Sequence, residues 1–232
     1  MKTKNILLLL IIFCFATSFI DYNHEVNKNN HVKQLSLNVI KIEFDTAKFY
    51  PFPRYKYGEA SIIDNIIPDD SYIYWECIFK GDAIFSKDRG KVIVYNGDSL
   101  NYASKINNID SPSGFFESCE PNICFYYIVA VDSKRKIHII NSNEKLKSFI
   151  GHIDNVEEVI LLSKINGYSY DESIKIGGAY RERENYFLLY LLEYSSSPVT
   201  FKSVRAILNK NGKFRVFDKT IYKENKDEYI FP

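Results

Sequence analysis

The sequence lacks a dominant charge. It has 30 basic and 29 acidic residues, which give a formal net charge of +1. Its lysines are scattered along the chain, so there is no basic stripe of the kind that nucleic-acid-binding domains present. A balanced chain also has no long-range field with which to hold an anionic membrane surface. We therefore expect no nucleic-acid partner.

The sequence also lacks the motifs that carry common chemistries. It contains no Gly-x-Ser-x-Gly elbow, and Gly177-Gly178 is followed by neither the later Gly nor the Lys-Ser or Lys-Thr of a phosphate-binding loop. This glycine pair is more typical of a bulge or bend. The chain has 4 histidines, and His138 and His152 are too far apart in sequence to complete a zinc site with Cys119 and Cys124. We predict no catalytic residue, no metal and no cofactor.

The longest apolar run lies at the start of the chain. A short basic segment precedes the uncharged run from Ile6 to Phe15, and the small residues Ala16 and Ser18 follow. This order predicts a signal peptide at residues 1–18 and a secreted, periplasmic or cell-envelope protein. An uncleaved anchor is the alternative, whereas Phe13 before Cys14 disfavours a lipoprotein. Cleavage removes Lys2 and Lys4, leaves 28 basic against 29 acidic residues, and leaves no membrane span.

The remaining cysteines are odd in number. Cys119 and Cys124 enclose a proline-containing turn, so we predict a disulfide between them in an oxidising compartment. Cys77 lies in a dense apolar run and is predicted to be a small core residue.

Residues 19–232 are predicted to form a single exported domain, with residues 107–114 as a candidate seam between two subdomains. Alternating residues predict a bulged strand over Val32–Phe44, and three prolines predict a long surface loop over Thr46–Ser71. Further predictions for this half are strands at Tyr72–Phe79 and Lys91–Tyr95 and a helix at Asp98–Ile106.

The second half begins with a predicted hairpin of Phe125–Val131 and Ile137–Ile140. Two short helices follow between residues 143 and 165. The first is predicted to be capped by Asn143 and ended by Gly151, and the second to start with a capping box of Asp154 and Glu157. The strands predicted after Gly167 are Ser173–Ile176, Tyr186–Leu192, Thr200–Leu208 and Lys213–Tyr222.

Asn211-Gly212 predicts a type I′ hairpin between the last two strands. With Lys210 opposite Lys213, Ile207 faces Val216 and Arg205 faces Asp218. Strands, two helices and more strands together predict an α+β fold with a mainly antiparallel sheet.

Adjacent carboxylates and cysteines are the remaining candidates for chemistry. Each carboxylate pair has a structural explanation in a loop, a helix first turn or a turn, and the alternating Arg181-Glu182-Arg183-Glu184 is typical of a solvated strand edge. A secreted or periplasmic hydrolase is still an alternative, with a site assembled from distant carboxylates or from Cys77 or Cys119 with a histidine. The carboxylate pairs are Asp69-Asp70, Glu157-Glu158 and Asp171-Glu172.

The segment from Phe49 to Tyr57 is rich in aromatic and basic residues. Tyrosine and arginine dominate binding hot spots because they combine a large contact area with a polar tip. The alternative is a loop whose rings pack back onto a sheet. We predict a non-enzymatic binding domain for a protein or glycan partner outside the cytoplasm, and the candidate contact residues are Tyr50, Arg54, Tyr55 and Tyr57.

Overall fold

The computed structural model describes residues 44–55, 58–70, 72–81, 88–118, 123–196 and 198–225. The predicted signal peptide, most of the strand predicted at Val32–Phe44, Tyr57 and Cys119 lie outside these residues. Thr46–Pro232 forms one compact unit. The strands of the described residues are β1 Tyr50–Pro51, β2 Tyr72–Lys80, β3 Lys91–Gly97, β4 Phe115–Ser118, β5 Cys124–Asp132, β6 Ile137–Ile140, β7 Ala179–Glu182, β8 Tyr186–Ser196, β9 Val199–Asn209 and β10 Phe214–Asn225. The helices are α1 Glu59–Ile63, α2 Ser99–Ile106, α3 Asn143–Ile150 and α4 Val156–Ile165.

The strands form two antiparallel sheets, which confirms the predicted α+β fold. Sheet A has the order β1-β7-β8-β9-β10, and sheet B has the order β3-β2-β5-β4 with β6 also paired to β5. Strands β2 and β5, which lie on either side of residues 107–114 in the sequence, pair directly in sheet B. The predicted hairpin of β5 and β6 is confirmed, with Val131 opposite Ile137.

The central strands of sheet B, β2 and β5, are buried on both faces because their side chains alternate between two apolar clusters. Trp75 and Cys77 of β2 join the larger cluster, which also contains residues of sheet A and of α1, α3 and α4. Tyr74 and Ile78 point the other way, into a smaller cluster with Ile106 of α2. One core therefore connects both sheets through three helices, and a second core lies beneath α2.

Helices α3 and α4 confirm the two helices predicted between residues 143 and 165. The N-terminal cap of each helix lies one residue away from the predicted position. Ser142, not Asn143, caps α3 by accepting a hydrogen bond from the N–H of Lys145. Asn155 caps α4 by accepting a 2.9 Å hydrogen bond from the N–H of Glu158. The predicted Asp154–Glu157 box is wrong because Glu158, rather than Glu157, turns into the protein.

Helix α4 is apolar around most of its circumference, so it is stable only when it is enclosed on several sides. Val159, Ile160, Leu161 and Leu162 are all buried in the larger cluster. Gly151 ends α3 with a positive φ of 64°, as predicted for a glycine terminator, and its N–H bonds the carbonyl of Lys147.

The segment predicted as a surface loop over Thr46–Ser71 is an integral part of the core instead. It contains a 3-10 turn at Thr46–Lys48, the short strand β1 and helix α1. Phe52, Ile63 and Ile66 are buried in the larger cluster. The prolines are compatible with this packing because they lie in an edge strand and in connections, where no ladder hydrogen bond is lost.

The β9–β10 hairpin is confirmed, but its turn is longer than predicted. The N–H of Asn209 bonds the carbonyl of Lys213, and of the two turn residues only Gly212 has a positive φ, at 77°. A type I′ turn needs positive φ at both residues, so this is a three-residue loop with a left-handed glycine.

The longer turn shifts the pairing by one residue. Arg215 faces Ile207, so the predicted Ile207–Val216 pair is wrong. A bulge at Phe217 then restores the predicted pairing of Arg205 with Asp218.

Residues 173–176 form turns rather than the predicted strand. The carboxylate of Asp171 accepts hydrogen bonds from the N–H and the hydroxyl of Ser173, and the N–H of Asp171 bonds the carbonyl of Gly177. These local bonds compete with strand pairing, and the strand begins only at Ala179.

No helix in the described part of the chain is long and apolar enough to cross a membrane.

Candidate functional site

The aromatic segment predicted as a contact surface lies at the edge of sheet A. Tyr50 of β1 is paired with Tyr180 of β7, and their ring centroids are 6.2 Å apart. The Tyr180 ring stacks on Phe52 at 5.5 Å, and Phe52 contacts Tyr170 at 5.2 Å.

The aromatic rings of this segment take both roles that the sequence left open: some pack back onto the sheet, and one is exposed to solvent. Phe49 and Phe52 are buried, and Phe49 contacts Tyr190 edge-on at 4.9 Å. Tyr50 is 67% exposed. The phenylalanines therefore anchor the segment to the sheet, and Tyr50 is held outward on that rigid support.

Tyr55 acts as an anchor rather than as an exposed contact residue. Its hydroxyl donates a 2.7 Å hydrogen bond to Oε1 of Glu157 in α4. Burial, together with this carboxylate, raises the pKa of Tyr55 far above its usual range. The bond joins the segment to the N-terminal turn of a buried helix.

Arg54 remains exposed on 72% of its side chain, and its only described ion-pair partner is Glu172, at 3.6 Å. A pair this exposed contributes little to stability, so the guanidinium is available for other contacts.

A depression of about 480 Å³ opens beside Tyr50 and Tyr180. It forms because β1 pairs with β7 through only two residues, and the preceding chain turns away in the 3-10 turn at Thr46–Lys48. We call this depression the edge notch. Its lining residues are Lys48, Tyr50, Tyr180, Arg181 and Glu182.

Positive charge predominates in the edge notch. Oε1 of Glu182 accepts a 2.7 Å hydrogen bond from Nζ of Lys210, so the acidic side chain of the notch has its own cation. Arg181 forms no ion pair with any other residue that the structure describes. Its guanidinium gives the notch a preference for anionic groups.

A second group of titratable residues lies at the β5–β6 hairpin. Nε2 of His138 is 2.9 Å from Oδ2 of Asp132, and the ring of Tyr72 packs edge-on against the imidazole at 5.7 Å. The hydrogen bond from His138 and those from the backbone N–H groups of Lys136 and Lys134 lower the pKa of Asp132. Because the same carboxylate accepts the backbone hydrogen bonds that close the hairpin turn, the His138–Asp132 pair has a structural role in this turn.

Buried charges beneath α2 form a separate structural network. Glu76 is buried, accepts a 2.8 Å hydrogen bond from the hydroxyl of Tyr74 and pairs with Arg89. Lys80, also buried, pairs with Asp110 at 2.6 Å. Each of these buried charges has a partner, which is the condition for tolerating charges in an apolar cluster.

The structure agrees with the prediction for Cys77 and does not test the predicted disulfide. Cys77 is fully buried, and burial raises the pKa of its thiol far above the usual range. It is therefore an inert core residue. Cys124 begins β5, but the predicted Cys119–Cys124 disulfide stays a prediction because Cys119 lies outside the described residues.

The adjacent carboxylates have separate local roles. Glu157 accepts a hydrogen bond from the hydroxyl of Tyr55, whereas Glu158 accepts hydrogen bonds from backbone N–H groups. Asp171 holds a turn, and Glu172 contacts Arg54. Within the described residues, no three His, Cys, Asp or Glu side chains lie close enough together to hold a metal ion.

No protein-family model, curated protein or solved structure matches this chain.

Of the contact residues predicted from the sequence, Tyr50 lines the notch and Arg54 does not, and the residues of the other wall were missed. Tyr180, Arg181 and Glu182 lie on β7, about 130 positions from Tyr50 in the sequence, and they meet it only through the pairing of β1 with β7. The alternation of Arg181 and Glu182 marked this segment as an exposed edge strand, which was the one available signal.

Proposed function

We propose that this chain is a non-enzymatic binding domain that acts outside the cytoplasm, with the edge notch, including its lining residue Tyr50, as its contact surface for a protein or glycan. The observation that carries this proposal is the exposed Tyr50 ring beside Tyr180, on a segment fixed by two buried phenylalanines. A rigid aromatic side chain loses little conformational entropy on binding. Arg54 and Arg181 supply the polar contacts that accompany aromatic anchors in binding hot spots.

The geometry disfavours one form of the alternative, a hydrolase that uses Cys77 as its nucleophile. Nucleophilic catalysis needs a thiolate beside a base. Cys77 is enclosed in the core with a thiol that resists ionisation, and the imidazole of His138 is committed to Asp132.

Affinity capture with three forms of the protein tests the proposal. Wild type, Tyr50→Ala and Tyr95→Ala serve as baits for envelope and culture-medium fractions, and the captured molecules are quantified by mass spectrometry. Tyr95 is the matched control because it is 58% exposed on β3 of sheet B. We expect a partner that wild type and Tyr95→Ala retain and that Tyr50→Ala loses.

The bait variants must melt at the temperature of wild type for this comparison to hold. Equal capture by all three baits contradicts the assignment of the contact surface to Tyr50.

A further inference from the structure

The edge notch exposes the unpaired side of a β-strand. In the pairing of β7 with β8, the N–H of Arg183 bonds the carbonyl of Tyr186. Because backbone groups alternate along an antiparallel strand, the N–H and C=O of Glu182 point away from β8 and into the notch. Within the described residues, β1 covers only Ala179 and Tyr180 of β7. The notch therefore offers one backbone donor and one acceptor to an added extended segment.

The charges of the notch complement a carboxylate. Arg181 is cationic and has no ion pair with another described residue, and Glu182 is already bonded to Lys210. A guanidinium binds a carboxylate through two parallel hydrogen bonds, which is stronger and more directional than a contact with a neutral group.

The size of the notch favours the end of a chain over the surface of a folded domain. Its volume of about 480 Å³ falls in the range of small-ligand sites, about 300–1,000 Å³. A folded partner instead needs about 800 Å² of contact on each side. The rings of Tyr50 and Tyr180 form the apolar wall of this space, against which one side chain can pack.

We propose that the edge notch binds the carboxyl-terminal residues of an extended peptide. The peptide backbone pairs with Glu182, its terminal carboxylate binds Arg181, and its last side chain packs on Tyr50 and Tyr180. This is strand addition combined with capture of a chain terminus. It rests on the proposed binding function and names the class of partner. An open strand edge favours a peptide over a glycan, which has no backbone amide ladder to offer.

A peptide pool tests this inference directly. N-acetylated hexapeptides, randomised at the last four positions, are synthesised once as free acids and once as carboxyl-terminal amides. Each pool is incubated with the purified full-length protein, and retained peptides are identified by ultrafiltration and mass spectrometry. The most enriched free acid is then titrated calorimetrically against wild type and variants.

We expect the free-acid pool to be enriched and amidation to weaken binding at least tenfold. Arg181→Met should weaken it at least tenfold, Arg181→Lys should weaken it less, and Tyr50→Ala should weaken it about fivefold. Arg215→Met and Tyr95→Ala, which alter exposed residues of β10 and β3, should stay within twofold of wild type. The graded response to the two Arg181 variants separates lost recognition from lost folding.

Results of two kinds overturn the inference without contradicting the proposed function. One is equal retention of acids and amides, or no retained peptide. The other is Arg181-dependent binding of oligogalacturonate, a carboxylated saccharide, in place of peptides. Failure of the proposed function has a different signature, namely equal capture of partners by wild-type and Tyr50→Ala baits.

Discussion

Oε1 of Glu158 accepts a 2.8 Å hydrogen bond from the backbone N–H of Ile67, a residue 91 positions earlier in the chain. Its other oxygen accepts a 2.7 Å hydrogen bond from the N–H of Asp154. A fully buried carboxylate thus satisfies two backbone donors and joins α4 to the end of the segment that carries the notch.

Replacement of Glu158 by Ala should destabilise the protein by about 3 kcal/mol or more, because two donors lose their acceptor and a cavity forms. Glu158→Gln, which keeps one acceptor oxygen, should cost less. Urea denaturation measures both values. A loss below about 1 kcal/mol for Glu158→Ala would show that water or neighbouring groups replace the carboxylate.

The pH dependence of this site should have the sign set by a raised pKa. Burial outweighs the backbone hydrogen bonds and raises the pKa of Glu158. Its contribution to stability is therefore largest below the unfolded-state pKa, about 4.3, and is lost as the pH rises through the folded-state value. The stability advantage of wild type over Glu158→Gln should shrink between pH 4 and neutrality, in denaturation curves recorded across that range. An advantage that grows with pH contradicts this assignment.

Tyr55→Phe should separate anchoring from binding. Loss of the hydrogen bond to Glu157 should cost about 1 kcal/mol of unfolding free energy and leave partner capture intact. Tyr50→Phe is the matched control, since Tyr50 is largely exposed and its ring is retained. Chemical denaturation and the capture assay together check this. Unchanged stability with lost capture would place Tyr55 in the contact surface instead.

The Arg205–Asp218 pair should contribute only above acidic pH. Hydrogen bonding from Arg205 lowers the pKa of Asp218, so the stabilisation is present above the unfolded-state pKa and is lost as pH falls through the folded-state value. Both side chains are more than a third exposed, which limits the effect of Asp218→Asn to about 1 kcal/mol at pH 7. Thermal melts should show this deficit disappearing near pH 2, and an equal deficit at both pH values would point to a packing effect.

Thiol titration tests the fate of the cysteines. Cys77 should not react with a thiol reagent in the folded protein, because its sulfur is buried and un-ionised. If residues 1–18 are removed and Cys119 pairs with Cys124, unfolding without reductant should expose one reactive thiol per chain. Three thiols would rule out the predicted disulfide.

Local signals in the sequence predicted much of the fold. The β5–β6 hairpin and the helices near residues 99–106 and 143–165 follow from short-range periodicity and capping residues, which operate within a few positions. The register of β9 and β10 failed at Ile207 because turn length is set by backbone dihedrals that Asn-Gly alone does not fix.

Such local signals could not predict features that depend on contacts between distant parts of the chain. The segment from Phe49 to Ile66 resembles a loop in composition, and its burial depends on pairing with β7 and packing against α4. The notch was missed for the same reason, because its lining residues come from two segments that are distant in the sequence. Tyr50 and Arg54 were accessible to prediction only as residue types suited to binding.

The attachment of the Phe49–Ile66 segment also has a kinetic consequence. Its contacts with Glu157 and Lys175 join residues 102 and 126 positions apart, so the chain must close very large loops before they form. Loop closure of this length is entropically costly and slows folding. We therefore expect the edge notch to form late in folding, and a nascent chain that has not yet reached β7 lacks one wall of the notch.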